Sequence, residues 1–207
     1  METEQLAIFS ETMERIGVRT RAEVHSQGYW HETFQCWFVQ KQAGRRSILF
    51  QQRAAQKKDF PNQLDITAAG HLLAHESFRD GVREIQEELG LQLSIDDLVP
   101  AGIVPDPILL PGFQDREFCH LFFYLLPCPI TSLVLQREEV AGIVCIELND
   151  CERLLHHEIS DLSAQVYLSD ANHPCKVITR NVQRQDLCPH NDAYYDTVLK
   201  YAHRLLD

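Results

Sequence analysis

The chain has 207 residues, of which 44% are apolar and 24% charged, enough for a sizeable core in one domain of about 150 residues with extensions. Its formal net charge of −11 excludes a general nucleic-acid binder, which needs a basic face to displace counterions. No apolar run approaches the ~20 residues that span a bilayer, and the acidic start METEQLAIFSETMER lacks the order of a signal peptide, so a cytoplasmic protein without a membrane partner is expected.

In chain order, Leu6–Phe9 reads as a first strand and Ile16–Val18 as a second. Thr33–Lys41 alternates and is aromatic, which suits a strand; Ser47–Arg53 is its hairpin partner across the turn Gln42–Arg46. Lys57–Gln63 makes a loop and Leu64–Ala69 a short strand. Over Ser77–Leu89, Phe78, Val82, Ile85 and Leu89 fall at helical spacing, and Gly90 closes the helix. Leu98–Val104 and Glu117–Leu126 read as strands separated by a long loop holding Pro105, Pro107, Pro111 and Gly112. Gly142–Leu148 is a strand, Asp150–His157 a helix, and Asn191–Leu206 a closing amphipathic helix with Tyr194, Val198, Tyr201 and Leu205 on one side. Strands in the middle with scattered helices predict an α+β fold. The seven cysteines include no C-x-x-C pair, which predicts buried free thiols.

The segment Gly70–Leu91 carries the chemistry. At about 100° per residue, Glu87 and Glu88 lie within roughly 60° on either side of Glu84, with the apolar stripe ~140° away. Carboxylates so gathered repel one another, and a hard divalent cation resolves the repulsion. A solvated acidic face is the alternative on charge pattern alone.

This stretch resembles the Nudix box: Gly, five residues, Glu, seven residues, then Arg-Glu-apolar-x-Glu-Glu-x-Gly-apolar. Gly70, Glu76, Arg83, Glu84, Ile85, Glu87, Glu88, Gly90 and Leu91 match, although only six residues separate Glu76 from Arg83. That missing residue rotates Glu76 by ~100° if the helix is continuous. The resemblance implies a single Nudix domain over residues 1–207, with a core over about 5–150 and a helical C-terminal extension after it. It implies a mixed sheet sandwiched between helices, an α/β/α sandwich. It also implies Mg²⁺ (or Mn²⁺) on Glu84, Glu87 and Glu88, with Arg83 orienting them, and hydrolysis of a small-molecule diphosphate, such as a nucleoside diphosphate linked to another group. The general base is left among Glu87, Glu88, Glu139 and Glu138, and Lys57, Lys58 and Arg53 are candidates to meet phosphate.

Residues RAEVHSQGYWHETFQCWFV further resemble the isopentenyl-diphosphate isomerases and their hydrolase-like relatives. That likeness implies a second metal on His25, His31, His71, Asp115 and Glu117, a donor set suited to Mn²⁺, Zn²⁺ or Fe²⁺. The isomerase cysteine before the Gly-His is here Ala69, which cannot exchange a proton with an alkene. Two alternatives to hydrolysis remain: an isomerase-like enzyme and a non-catalytic nucleotide-binding module. The leaving group is left open, with Trp30, Phe60, Phe113 and Tyr124 available to stack on it. The tail, with Arg180, Arg184, Tyr194 and Tyr195, is left as either a cap on the pocket or a homodimer contact. His75, His120, His156, His157, His173, His190 and His203 have no partner that the sequence identifies.

Overall fold

The computed structural model describes residues 3–168 and 175–207. Strands β1 (Gln5–Phe9) and β2 (Arg15–Thr20) form a hairpin that leads into helix α1 (Arg21–Gln27). Thr20 and Glu23 make a capping box at its start, and Gly28, at φ +65°, ends it. Strand β3 (Trp30–Gln42) is the spine. It pairs with β4 (Arg45–Arg53) through its second half, with β6 (Ala68–His71) through its first, and in parallel with β8 (Phe113–Leu125). Strand β5 (Leu64–Asp65) pairs with β4, and β7 (Val99–Leu110) with β8. The sheet extends from β4 through β9 (Val140–Glu147) and β10 (Asp161–Leu168) to β11 (Lys176–Gln183).

Alternation along β3 divides the core into two layers. Phe34, Cys36 and Phe38 pack with Ile85 and Leu89 of helix α2 (Arg83–Leu89). On the other face Trp37 and Val39 pack with α3 (Leu148–Leu155) and α4 (Asp192–Leu206), which contributes Tyr194, Val198 and Ala202. A mixed sheet between helices is the α+β sandwich expected. All seven cysteines are free thiols. No helix among the described residues is long and apolar enough to cross a membrane.

Three expectations need correction. The helix expected over Ser77–Leu89 begins at Arg83: the Ser77 backbone N–H and hydroxyl both donate to Asp80 at 2.8 Å, and a 3₁₀ turn over Asp80–Val82 follows. That local bond competes with helix; Phe78 lies outside the helix, 39% exposed and stacked on His120. The expected proline loop is regular strand. Pro105 and Pro107 sit on β7, an edge strand where a missing N–H costs no ladder bond, and Pro111-Gly112 is a two-residue turn with Gly112 at φ +78°. The extension expected to be helical carries the β10–β11 hairpin as well as α3 and α4.

Candidate active site

Glu84, Glu87 and Glu88 all line one cleft of about 470 Å³. Glu88 is 6% exposed and accepts hydrogen bonds from the Ala69 backbone N–H (3.1 Å) and Gln51 Nε2 (3.2 Å). Burial pushes its carboxyl well above the usual carboxylate range, and Glu84 adds to the rise. Burial also drives Glu84, up to about 7, against the opposing pull of Arg83. Glu87 stands at the exposed edge. Desolvated acids without enough compensating charge are what a divalent cation with oxygen preference relieves, so this donor set fits such an ion. Gly70 makes the approach possible, because a Cβ there would overlap the Glu84 carboxylate.

Arg83 holds this wall together. Its Nε and Nη2 grip Glu76 at 2.9 and 3.1 Å, while Nη1 contacts Glu84 and lies 3.5 Å from Glu87. The shortened spacing therefore does not rotate Glu76 away. The missing residue falls in the non-helical turn before α2, and the Glu76 carboxylate serves Arg83. Lys57 and Glu139 contact each other on the cleft wall, and Arg53 joins them there. Lys58 and Glu138 are exposed on the surface outside it.

A second group converges from α1, β3, β6 and β8: His25, His71, Asp115 and Glu117 line the same cleft, and His31 beside them is fully buried. His25, His31 and His71 present ligand nitrogens that all lie within 4.8 Å of one another, as do the ligand atoms of His31, Asp115 and Glu117. Ligands at about 2.0–2.2 Å from one ion lie up to roughly 4.4 Å apart, so small side-chain movements close either set. His31 Nδ1 faces the Tyr29 carbonyl at 3.1 Å, which turns Nε2 inward toward Asp115, 3.5 Å away. Both His31 Nε2 and Asp115 Oδ1 are buried without a hydrogen-bond partner. His25 and His71 meet Nε2 to Nε2 at 3.1 Å. Burial drives the His31 imidazole down to about 4 and His71 well below its ordinary value, while it raises the Asp115 and Glu117 carboxyls. Neutral imidazoles with free lone pairs, beside carboxylates that lack a counter-charge, fit a transition-metal ion.

The floor holds residues that the sequence left without a role. His190, for which the sequence identifies no partner, is buried between Asp106 (2.5 Å from Nδ1) and Asp65 (2.9 Å from Nε2). Burial disfavours its charge, but the two carboxylates outweigh that and raise its pKa to about 10. Asp65 continues to Arg53 at 2.7 Å. His120 is likewise buried, paired with Glu32 at 2.8 Å; His173 lies outside the described residues. Of the stacking candidates, Phe60 and Phe113 meet edge to face at 5.0 Å on the cleft, whereas Trp30 and Tyr124 pack on Phe118 and Phe38.

Comparison with known proteins identifies the family. The NUDIX domain model matches residues 14–166. An uncharacterised Nudix hydrolase of Clostridium acetobutylicum is 38% identical over 200 residues, 97% of each chain. An isopentenyl-diphosphate Δ-isomerase of Saccharopolyspora erythraea is 30% identical over 144 residues, covering 67% of this chain and 70% of that one. A crystal structure from Deinococcus radiodurans superposes with a TM-score of 0.53 at 17% identity, covering 75% of this chain and 88% of that one, a likeness of fold. The chain belongs to the NUDIX domain family and is a Nudix hydrolase.

Proposed function

We propose that the cleft hydrolyses a diphosphate linkage in a small molecule, of the kind in which a nucleoside diphosphate carries another group, with Mg²⁺ or Mn²⁺ on Glu84, Glu87 and Glu88. The observation that carries this reading is the convergence of three carboxylates, two of them held by burial above their ordinary ionisation range, on a cleft that also presents Arg53 and Lys57. A bound divalent ion would polarise water and neutralise charge developing on the phosphate oxygens. Arg83 orients Glu84 and Glu87 with its fork. Glu139, Glu87 or Glu88 takes the proton from the attacking water, and Lys57 meets phosphate. His25, His31, His71, Asp115 and Glu117 form a second cation site, matched to Mn²⁺, Zn²⁺ or Fe²⁺.

That second cluster and the isomerase relative favour isomerisation as the other reading. Against it, Ala69 offers no proton, and Cys119, 3.7 Å from Glu117, is fully buried with its thiol raised by burial. A phosphate-release screen of nucleoside diphosphate sugars, dinucleotides, coenzyme A and prenyl diphosphates separates the two. Metal-dependent release from one class is the expected result. Silence across the panel, with solvent deuterium entering a prenyl diphosphate, would replace hydrolysis by isomerisation.

A further inference from the structure

Glu117 is held from one side only. Its Oε2 accepts from Gln35 Nε2 at 2.9 Å and from Thr33 Oγ1 at 3.1 Å, which leaves Oε1 facing His31 Nε2 at 3.9 Å. The second N–H of Gln35 has a place too, with Thr33 Oγ1 3.3 Å away. The arrangement works only if the Gln35 amide presents its nitrogen, since its oxygen would face a carboxylate oxygen.

Tyr194 on α4 sets that orientation. Trp37 Nε1 is 2.9 Å from the Tyr194 hydroxyl, and an indole N–H only donates. The hydroxyl therefore accepts from Trp37 and turns its single proton to Gln35 Oε1, 2.6 Å away. Donors run one way, from Trp37 through Tyr194 and Gln35 to Glu117. The Tyr194 ring is fully buried and stacks on His190 at 4.7 Å, so the pair of acids that clamps His190 also fixes the ring. Tyr194 lies beyond the residues 14–166 matched by the family model.

We propose that Tyr194, acting through Gln35, positions Glu117 as a one-oxygen ligand of the cation held by His25, His31 and His71, so that the C-terminal helix is part of the metal centre. The inference rests on the second cation site put forward above. Groups behind a metal ligand fix its direction and its basicity, and their loss typically weakens metal binding by about 10- to 100-fold. Tyr194 is a positioning residue, because it touches neither the ion nor the substrate.

The test is Co²⁺ binding, followed by its visible absorption, on metal-stripped full-length protein with Mg²⁺ saturating the glutamate wall. Tyr194→Phe keeps the buried ring and removes the hydroxyl; Gln35→Met removes the amide at similar volume. Both are expected to weaken Co²⁺ binding by about tenfold or more, with an altered spectrum. Val198→Ala thins the same buried face of α4 without touching the chain of donors. It is expected to lower the melting temperature and leave Co²⁺ affinity within about twofold of wild type. Should Tyr194→Phe fail to fold, Gln35→Met carries the comparison. Wild-type Co²⁺ affinity in the polar variants would overturn the inference, as would an equal loss in Val198→Ala. Absence of Co²⁺ binding in the wild type would overturn the second-site reading itself, and this inference with it.

Discussion

The cleft has two acidic regions built in opposite ways. The glutamate wall comes from one turn and a half of α2, and it carries a counter-charge within the segment, Arg83, which touches Glu76, Glu84 and Glu87 but not the buried Glu88. The histidine pocket is assembled from residues 25 to 117 on four elements, and it leaves His31 Nε2 and Asp115 Oδ1 buried with nothing to bond. A wall partly offset by its own arginine suits a weakly held ion that arrives with substrate. A pocket of unsatisfied ligand atoms suits an ion that stays. The lesson is that donor number alone does not separate the two regions, whereas the internal counter-charge does.

Four substitutions test that contrast. The largest is at the floor behind the histidine pocket. His190→Gln removes the buried cation between Asp65 and Asp106, and breaking such a pair costs about 3–5 kcal/mol. Because the folded-state pKa of about 10 lies above the ordinary value, this stability is fully present below about pH 6.5 and fades as pH rises toward 10. Melting curves should therefore show the gap between wild type and variant narrowing over that window. A gap that widened would contradict the assignment. Next, His71→Ala takes a ligand from the proposed second cation site, and elemental analysis should show metal present in purified wild type and lost in the variant. Equal metal content in wild type and variant would remove the distinction between the two regions.

Gly70→Ala strikes the other region. Its Cβ would displace the Glu84 carboxylate, and a misplacement of about 1 Å at a reacting centre costs ~10²-fold in turnover. Retained metal should be unchanged; a parallel loss of both would mean that the two regions act as one unit. The smallest effect is at Lys57, where removing one phosphate contact should raise KM about tenfold with kcat little altered. A fall in kcat instead would mean that Lys57 acts through Glu139, its partner on the cleft wall.

The contrast also explains what could be read from the sequence. Glu84, Glu87 and Glu88 were legible because helix periodicity places them together within five residues. Apolar spacing alone overextends the helix, because Phe78 continues it, whereas the Ser77-x-x-Asp80 bond opens a 3₁₀ turn ahead of the α-helix. The prolines of β7 read as a loop because edge position depends on strand order, which no local window contains. Two further elements carry local signals: Thr20-x-x-Glu23 marks the start of α1, and Leu162, Ala164 and Val166 alternate along β10. His190 and Gln35 left no local trace. Their partners lie 125 and 82 residues away, at Asp65 and Glu117, and only the folded chain joins them.

In the proposed function the helix carboxylates carry the hydrolysis. The most direct measurement compares initial rates of phosphate release by wild type and Glu88→Gln on the most active compound of the panel, titrated with Mg²⁺ to saturation. A folded variant that is slower by about 10³-fold or more at every Mg²⁺ concentration is the predicted result. A variant that reaches the wild-type rate at saturating Mg²⁺ would contradict it and move the chemistry out of the glutamate wall.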